Sequence, residues 1–193
     1  MKALAILGSP RIKMNTDILL NKVIEGLEDR DVLVEKIELR KLNIHPCISC
    51  GACEKKGECF MKDDMVSLYN KFDEADIIVF ASPLYFNSVT SIAKTMIDRC
   101  QMFWSSKYVL NKPSIDRTKK RKGLFICTAG SVQKENAFLG ATLVMDLFFK
   151  AVNTKYQHNL FADHTDEILV KDRIDLLHKA YKMGQKLVDF KCV

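Results

Sequence analysis

Apolar positions in this chain fall into two patterns. Short unbroken runs cover residues 2–7 (KALAIL), 76–81 (DIIVFA) and 123–128 (GLFICT), and each is bounded by turn or polar residues. Runs of this length predict strands buried on both faces. Residues 32–39 alternate apolar and polar, as a strand with one wetter face does, and a weaker strand is expected at 154–161. Between them lie stretches of helical spacing. In residues 15–27, Ile18, Leu19, Val23, Ile24 and Leu27 mark one stripe. Further helices are predicted at 64–73, 89–103, 135–150 and 166–190, with a polar loop over 105–121.

Strands that alternate with helices in this way build a parallel sheet covered on both sides. Five strands, the first at the very N-terminus, predict an α/β fold of the flavodoxin-like, doubly wound kind with strand order 2-1-3-4-5. No boundary divides the chain, so residues 1–193 are expected to form one domain. A cysteine-rich segment at about 43–63 interrupts it as an insertion after the second strand.

Composition narrows the setting. The 193 residues are 48% hydrophobic and 28% charged, ordinary for a globular domain. No apolar run approaches the ~20 residues of a membrane span. The opening MKALAILGSP is too brief for a signal peptide and is followed by Arg11 and Lys13. The expected location is therefore cytoplasmic, where disulfides are rare. A formal charge of +6, from 30 basic and 24 acidic residues, suits an anionic ligand or acidic partner and makes no case for nucleic acid.

In a doubly wound sheet the ligand lies beyond the carboxyl ends of the strands. Three loops fall there. GSPRIKMNTD (residues 8–17) offers Ser9, Arg11, Asn15 and Thr16 beside the start of the first helix. That is an anion site of backbone donors and helix dipole, or else a helix capped by Asn15 or Thr16 with no ligand. It lacks the Walker and GxGxxG signatures, which argues against ATP and a Rossmann-bound dinucleotide. SPLYFNSVTS (82–91) carries the aromatic pair Tyr85 and Phe86 among polar turn residues, a place for a planar ligand rather than core. TAGSVQ (128–133) adds backbone donors around Gly130.

With these loops the chain resembles the NADPH-dependent FMN reductase group of flavodoxin-like proteins, over nearly its whole length. The resemblance implies FMN. Its phosphate would be held by Ser9, Arg11, Asn15 and Thr16, and its ring and ribityl chain by Pro83, Leu84, Tyr85, Phe86 and Asn87. Thr128, Ala129 and Gly130 would close over the polar edge of the ring. Two departures stand out: Lys13-Met14 replaces the usual small residues, and the third loop has one glycine where two are common.

The cysteine segment CISCGACEKKGEC (47–59) spaces Cys47, Cys50, Cys53 and Cys59 as C-x2-C-x2-C-x5-C. A disulfide pair conflicts with the compartment. Structural zinc normally takes two CxxC pairs on a longer loop. A continuous C-x2-C-x2-C run favours a 4Fe–4S cluster, with the five-residue spacer letting Cys59 return to it and Gly51 and Gly57 allowing tight turns. The same motif is that of the iron–sulfur flavoproteins, a branch of the same family. Resemblance to that branch implies an oxidoreductase that passes electrons between a donor such as ferredoxin, the cluster, FMN and a small acceptor. It also implies a homodimer or homotetramer. The rival readings are an NAD(P)H-dependent FMN or quinone reductase without a cluster, and a non-enzymatic redox carrier or sensor. Cys100, Cys127 and Cys192 are expected to be packing or incidental residues. His45 reads as a turn residue before Pro46, and His158, His164 and His178 have no metal spacing. The basic run 117–122 (RTKKRK) reads as a solvated loop, or alternatively as a docking site for an acidic partner or phosphate.

Overall fold

The computed structural model of the chain describes residues 1–189. Strands β1 (Lys2–Leu7), β2 (Leu33–Glu38), β3 (Ile77–Pro83), β4 (Arg121–Thr128) and β5 (Thr154–Ala162) form one sheet of order β2-β1-β3-β4-β5. Every neighbouring pair is parallel. This is the flavodoxin-like, doubly wound arrangement that the alternation predicts. Cys192 and the end of the last predicted helix lie outside the described residues.

Successive side chains along the inner strands serve different layers. Ala3, Ala5, Leu7, Val79, Ala81, Leu124 and Ile126 pack with α1 (Asn15–Glu28) and α7 (Ile174–Asp189). Leu4, Ile6, Ile78, Phe80, Phe125 and Cys127 pack on the other face. There they meet α3 (Met65–Glu74), α4 (Ser91–Arg99), α5 (Gln101–Tyr108) and α6 (Leu139–Ala151). Both faces are dry, which is why these strands read as continuous apolar runs rather than alternating ones. Edge strand β2 has one free side, and Leu33 there is exposed.

Several helix boundaries differ from expectation. The helix predicted at 89–103 is two helices broken at Cys100, and the second runs to Tyr108, into the predicted loop. At the break the Tyr69 hydroxyl donates to the Arg99 carbonyl at 3.0 Å, while Phe103 N–H bonds Cys100 O. Helix α6 starts four residues later than expected because Asn136 adopts φ +68°, a left-handed turn that a helix cannot continue through. Helix α7 starts at Ile174 because Thr165 and Asp166 are hydrogen-bonded to the loop after β4, and a 3-10 turn over Val170–Asp172 follows. Strand β4 begins at Arg121, two residues earlier than expected.

The basic run 117–122 divides: Arg117, Thr118 and Lys120 are exposed, as a solvated loop predicts, but its last two residues are a correction. Arg121 is buried and donates to the carbonyls of Phe72, Asp73 and Asp116 and to the Asp73 carboxylate. Lys122 is buried too, and its ammonium caps α7 through Leu187 O at 2.8 Å. These cations close the fold.

Helices α1 and α7 cross with no room for side chains. A Cβ on Gly184 would lie 2.2 Å from Val23 O, and one on Gly26 would lie 2.1 Å from Tyr181 O. Replacing Gly184 by Ala should destabilise the fold although helix propensity alone favours Ala by about 1 kcal/mol. Contact with rigid backbone outweighs that, at a cost of about 1–3 kcal/mol. Urea unfolding of Gly184→Ala checks it, and a midpoint at or above that of the wild type would show that the crossing can widen freely.

Candidate functional site

The three predicted loops converge at the carboxyl ends of β1, β3 and β4. Gly8 N–H donates to Ala81 O at 2.7 Å, and the Thr90 hydroxyl donates to Gly8 O at 2.6 Å, joining the first loop to the second. Leu84 N–H donates to Thr128 O at 2.8 Å, joining the second to the third. The hydroxyls of Thr16 and Thr128 share a hydrogen bond at 2.6 Å, joining the third to the first. The structure thus brings all twelve loop residues of the sequence reading to one end of the sheet.

Their detailed roles differ from a simple capped helix. The residue at the N-cap of α1 is Met14, whose side chain makes no capping bond, so neither Asn15 nor Thr16 caps it. The first-turn N–H groups have no partner within the helix itself. Asn15 instead holds the chain after β5, donating to Thr165 O and accepting from Val170 N–H, both at 3.0 Å. Ser9 is buried, and its hydroxyl bonds the backbone of Arg11, whose own side chain is exposed. Ala129 is buried and Gly130 partly exposed; Thr165 N–H and Asp166 N–H donate to their carbonyls.

The second loop is a tight hairpin closed by the Tyr85–Ser88 bridge, with Phe86 at φ +49° and Asn87 at φ +59°. A left-handed conformation is uncommon for a large aromatic residue and marks local strain. Phe86 is fully exposed and Tyr85 half-exposed. The hairpin therefore presents two aromatic side chains to solvent beside the loop cluster.

The second candidate site lies on the α3–α6 side of the sheet. Cys47, Cys50, Cys53 and Cys59 all line one pocket of about 140 Å³, walled on its inner side by Arg99, Gln101 and Met102. Cys47 and Cys50 are exposed, and Cys53 and Cys59 are partly buried. A short helix, α2 (Ala52–Lys56), carries Cys53 and packs against α5, and the Ser105 hydroxyl lies 3.6 Å from Cys53 Sγ. The glycines on either side of α2, Gly51 at φ +69° and Gly57 at φ +72°, take the left-handed turns the spacing calls for. Among the described residues no group of three or more His, Cys, Asp or Glu side chains stands in an arrangement that could hold a metal ion. The four thiols share a pocket without yet sharing a coordination geometry. As a donor set, four thiols gathered on a turn-rich segment fit a thiophilic centre.

A buried charge pair, invisible in the sequence reading, anchors this segment. Arg99 on α4 makes a two-pronged bond to Asp63, at 2.6 and 3.1 Å, and donates to His45 O at 2.9 Å. Asp63 also accepts from the N–H groups of His45 and Met65. Asn43 and Asp64 add a further pair of bonds between the two arms. His45, expected only to turn the chain, is thus held by its backbone at the base of the cysteine segment. Cys100 and Cys127 are buried packing residues, as expected, and burial pushes the Cys127 thiol up to about 12.

Comparison with known proteins agrees with this fold. A family model described as NADPH-dependent FMN reductase matches residues 1–153. An iron–sulfur flavoprotein of Archaeoglobus fulgidus is 42% identical over 99 residues, 51% of this chain and 45% of that protein. One from Methanocaldococcus jannaschii is 35% identical over 99 residues, 51% of each chain. The chain thus spans about half the length of the curated relatives it matches. Among solved structures, an NAD(P)H:quinone oxidoreductase from Methanothermobacter marburgensis superposes with a TM-score of 0.76. At 18% identity over 97% of this chain and 96% of that one, the likeness is one of fold.

Burial alone would raise the Asp63 carboxyl, but the hydrogen bonds and charge of Arg99, with two backbone N–H donors, outweigh it and hold the group at about 2. A depressed carboxylate stabilises the fold above its unfolded value of about 3.9 and loses that contribution as pH falls through its folded value. Asp63→Asn in the metal-free chain should therefore cost about 3–5 kcal/mol at neutral pH by stranding the buried Arg99 charge. The gap to wild type should narrow by roughly 2 kcal/mol between about pH 4 and pH 2. Urea unfolding at several pH values measures it; a gap that does not change with pH would refute the assignment.

Proposed function

The chain belongs to the NADPH-dependent FMN reductase family, and from that membership we propose that it is an FMN- and 4Fe–4S-containing oxidoreductase of the iron–sulfur flavoprotein kind. The observation that carries this reading is the gathering of Cys47, Cys50, Cys53 and Cys59 into one pocket on an FMN reductase fold. When bound, FMN supplies two-electron chemistry and the cluster one-electron transfer.

The residues divide the work by chemistry. Backbone donors of the first loop and the uncapped start of α1 receive the FMN phosphate, with Arg11 as a flexible cation. Asn15 and Thr16 keep that loop in register through Thr165 and Thr128. Tyr85 and Phe86 cover the ring, for which the hairpin holds them out of the core, and Thr128 to Gly130 face its polar edge. The four cysteines, as thiolates, hold the cluster, and no side chain is needed as a covalent catalyst. Electrons come from a donor such as ferredoxin or NAD(P)H and leave to a small acceptor, in the cytoplasm.

A second copy completes the path between the centres. The flavin hairpin precedes α4 and the cysteine pocket adjoins its last residue; nine residues at 1.5 Å each separate them by about 13 Å along the helix. On α6, Leu139, Leu143 and Leu147 are all more than half exposed at helical spacing. An unpartnered leucine stripe supports a homodimer or a dimer of dimers. Ile48 and Phe60, exposed on the cysteine segment, support a place for that segment in the contact.

Protein prepared without oxygen should contain iron, acid-labile sulfide and FMN, with FMN identified by chromatography. Cys50→Ser should lose most of the cluster absorbance and keep FMN, because the loops and the cysteine pocket are separate structures. Stoichiometric zinc without iron, or FAD as the sole flavin, would sink the reading. Leu143→Glu should shift the assembly toward monomers in analytical ultracentrifugation, and an unchanged mass would exclude the α6 stripe as the contact.

A further inference from the structure

Among the buried polar groups of the described residues, the guanidinium of Arg99 has incomplete bonding at a candidate site of chemistry. Its side chain is 1% exposed. Both terminal nitrogens are used by Asp63 and His45. Its Nε is buried with no hydrogen-bond partner. A buried donor left unmade costs about 1–3 kcal/mol, more for a charged group. Arg99 also forms part of the wall of the cysteine pocket. Burial works against its charge, but the bonds to Asp63 hold it firmly protonated. The Tyr69 hydroxyl, which donates to Arg99 O, fixes the residue from behind.

We propose that Arg99 is a positioning and tuning residue for the iron–sulfur centre: its fixed buried charge and unpaired Nε–H, in the wall of the cysteine pocket, raise the reduction potential of the centre. This inference rests on the cluster reading above. Reduction adds one electron, drawn from a low-potential one-electron donor, and makes the centre more negative by one charge. A cation against the sulfurs stabilises that reduced form more than the oxidised one, since hydrogen bonds to sulfur and net charge set such potentials. An arginine does not deprotonate in a protein, so Arg99 takes up no proton and its effect does not depend on pH. Asp63, bound to the two terminal nitrogens and absent from the pocket wall, opposes it as the counter-charge.

Opposite charges make the test directional. Redox titration of the holoprotein, followed by the electron paramagnetic resonance of the reduced cluster, is compared for wild type, Arg99→Gln and Asp63→Asn. At a fixed applied potential the ratio of reduced to oxidised cluster should fall at least tenfold in Arg99→Gln, about 59 mV for a one-electron couple. It should rise in Asp63→Asn, and both shifts should persist from pH 6 to pH 8. Mere loosening of the cysteine segment would move both variants the same way, and that result, or no shift in either, overturns the proposal. If one variant loses its iron, the other decides by the direction of its shift. If both do, the paired Arg99→Gln/Asp63→Asn chain, which strands no buried charge, must fall below wild type, and a ratio equal to wild type or loss of iron here too overturns the proposal. Iron and sulfide assays of wild-type protein separate the two failures: absence of the cluster there refutes the functional reading, whereas an intact cluster with unmoved potentials refutes only the role of Arg99.

Discussion

A parallel sheet buried on both faces confines where this molecule can do chemistry. Along β1, β3 and β4 the side chains alternate between two dry layers, and neither layer admits a ligand. Polar function is pushed to the strand ends, where the backbone must turn and its donors come free. The convergence of the three loops follows directly. Each leaves one of three neighbouring strands at its carboxyl end, and short hydrogen bonds through Gly8, Leu84, Thr16 and Thr128 complete the fit. The same constraint explains why the cysteine segment stands outside the sheet. Four thiols and the backbone wrapping them would be intolerable between dry layers, so they are attached to the outer surface of α4 and α5.

That attachment depends on one ion pair. The segment from Asn43 to Asp64 has a single five-residue helix and mostly exposed residues. It has little apolar burial of its own to hold it down. Arg99 and Asp63 compensate by reaching across its base and gathering the backbone of His45 and Met65 into one network. A buried pair of this kind is a weak source of stability compared with apolar packing, but it tolerates the loss of neither partner. It also fixes direction, and so places the pocket beside α4 rather than anywhere along an exposed loop.

What the sequence made legible follows from how local each cause is. Strand identity and order were readable because burial of both faces leaves unbroken apolar runs, and the cysteine spacing because its chemistry is set within thirteen residues. The break at Cys100 was not readable: the side chain that takes the Arg99 carbonyl is Tyr69, thirty positions earlier. Arg99 itself looks like an ordinary exposed helix residue until Asp63 is brought to it, and the basic run looks solvated until Phe72, Asp73 and Leu187 surround Arg121 and Lys122. Asn15 shows the same limit. Its type suggested a cap, and its partners are on the far side of β5. Long-range polar contacts leave almost no periodic trace, whereas apolar layers do.

The arrangement also keeps the loop cluster and the cysteine pocket electrostatically separate. The three loops are joined to one another by hydroxyl and backbone contacts, with the buried Asp17 at the end of the first paired to Lys36, while the cysteine pocket is backed by a fixed cation and its counter-ion. Electrostatic changes at Arg99 or Asp63 act over short range in a dry environment, where charges interact strongly, and weaken across the solvated surface between the sites. Helix α4 joins the two regions mechanically, since Thr90 caps its start beside the flavin loops and Arg99 ends it at the thiols. A shift of the cysteine segment would therefore reach the first loop through the Thr90–Gly8 hydrogen bond, as a displacement of the helix rather than as a change in field. Geometry is shared between the sites, and the buried charge of each is paired locally.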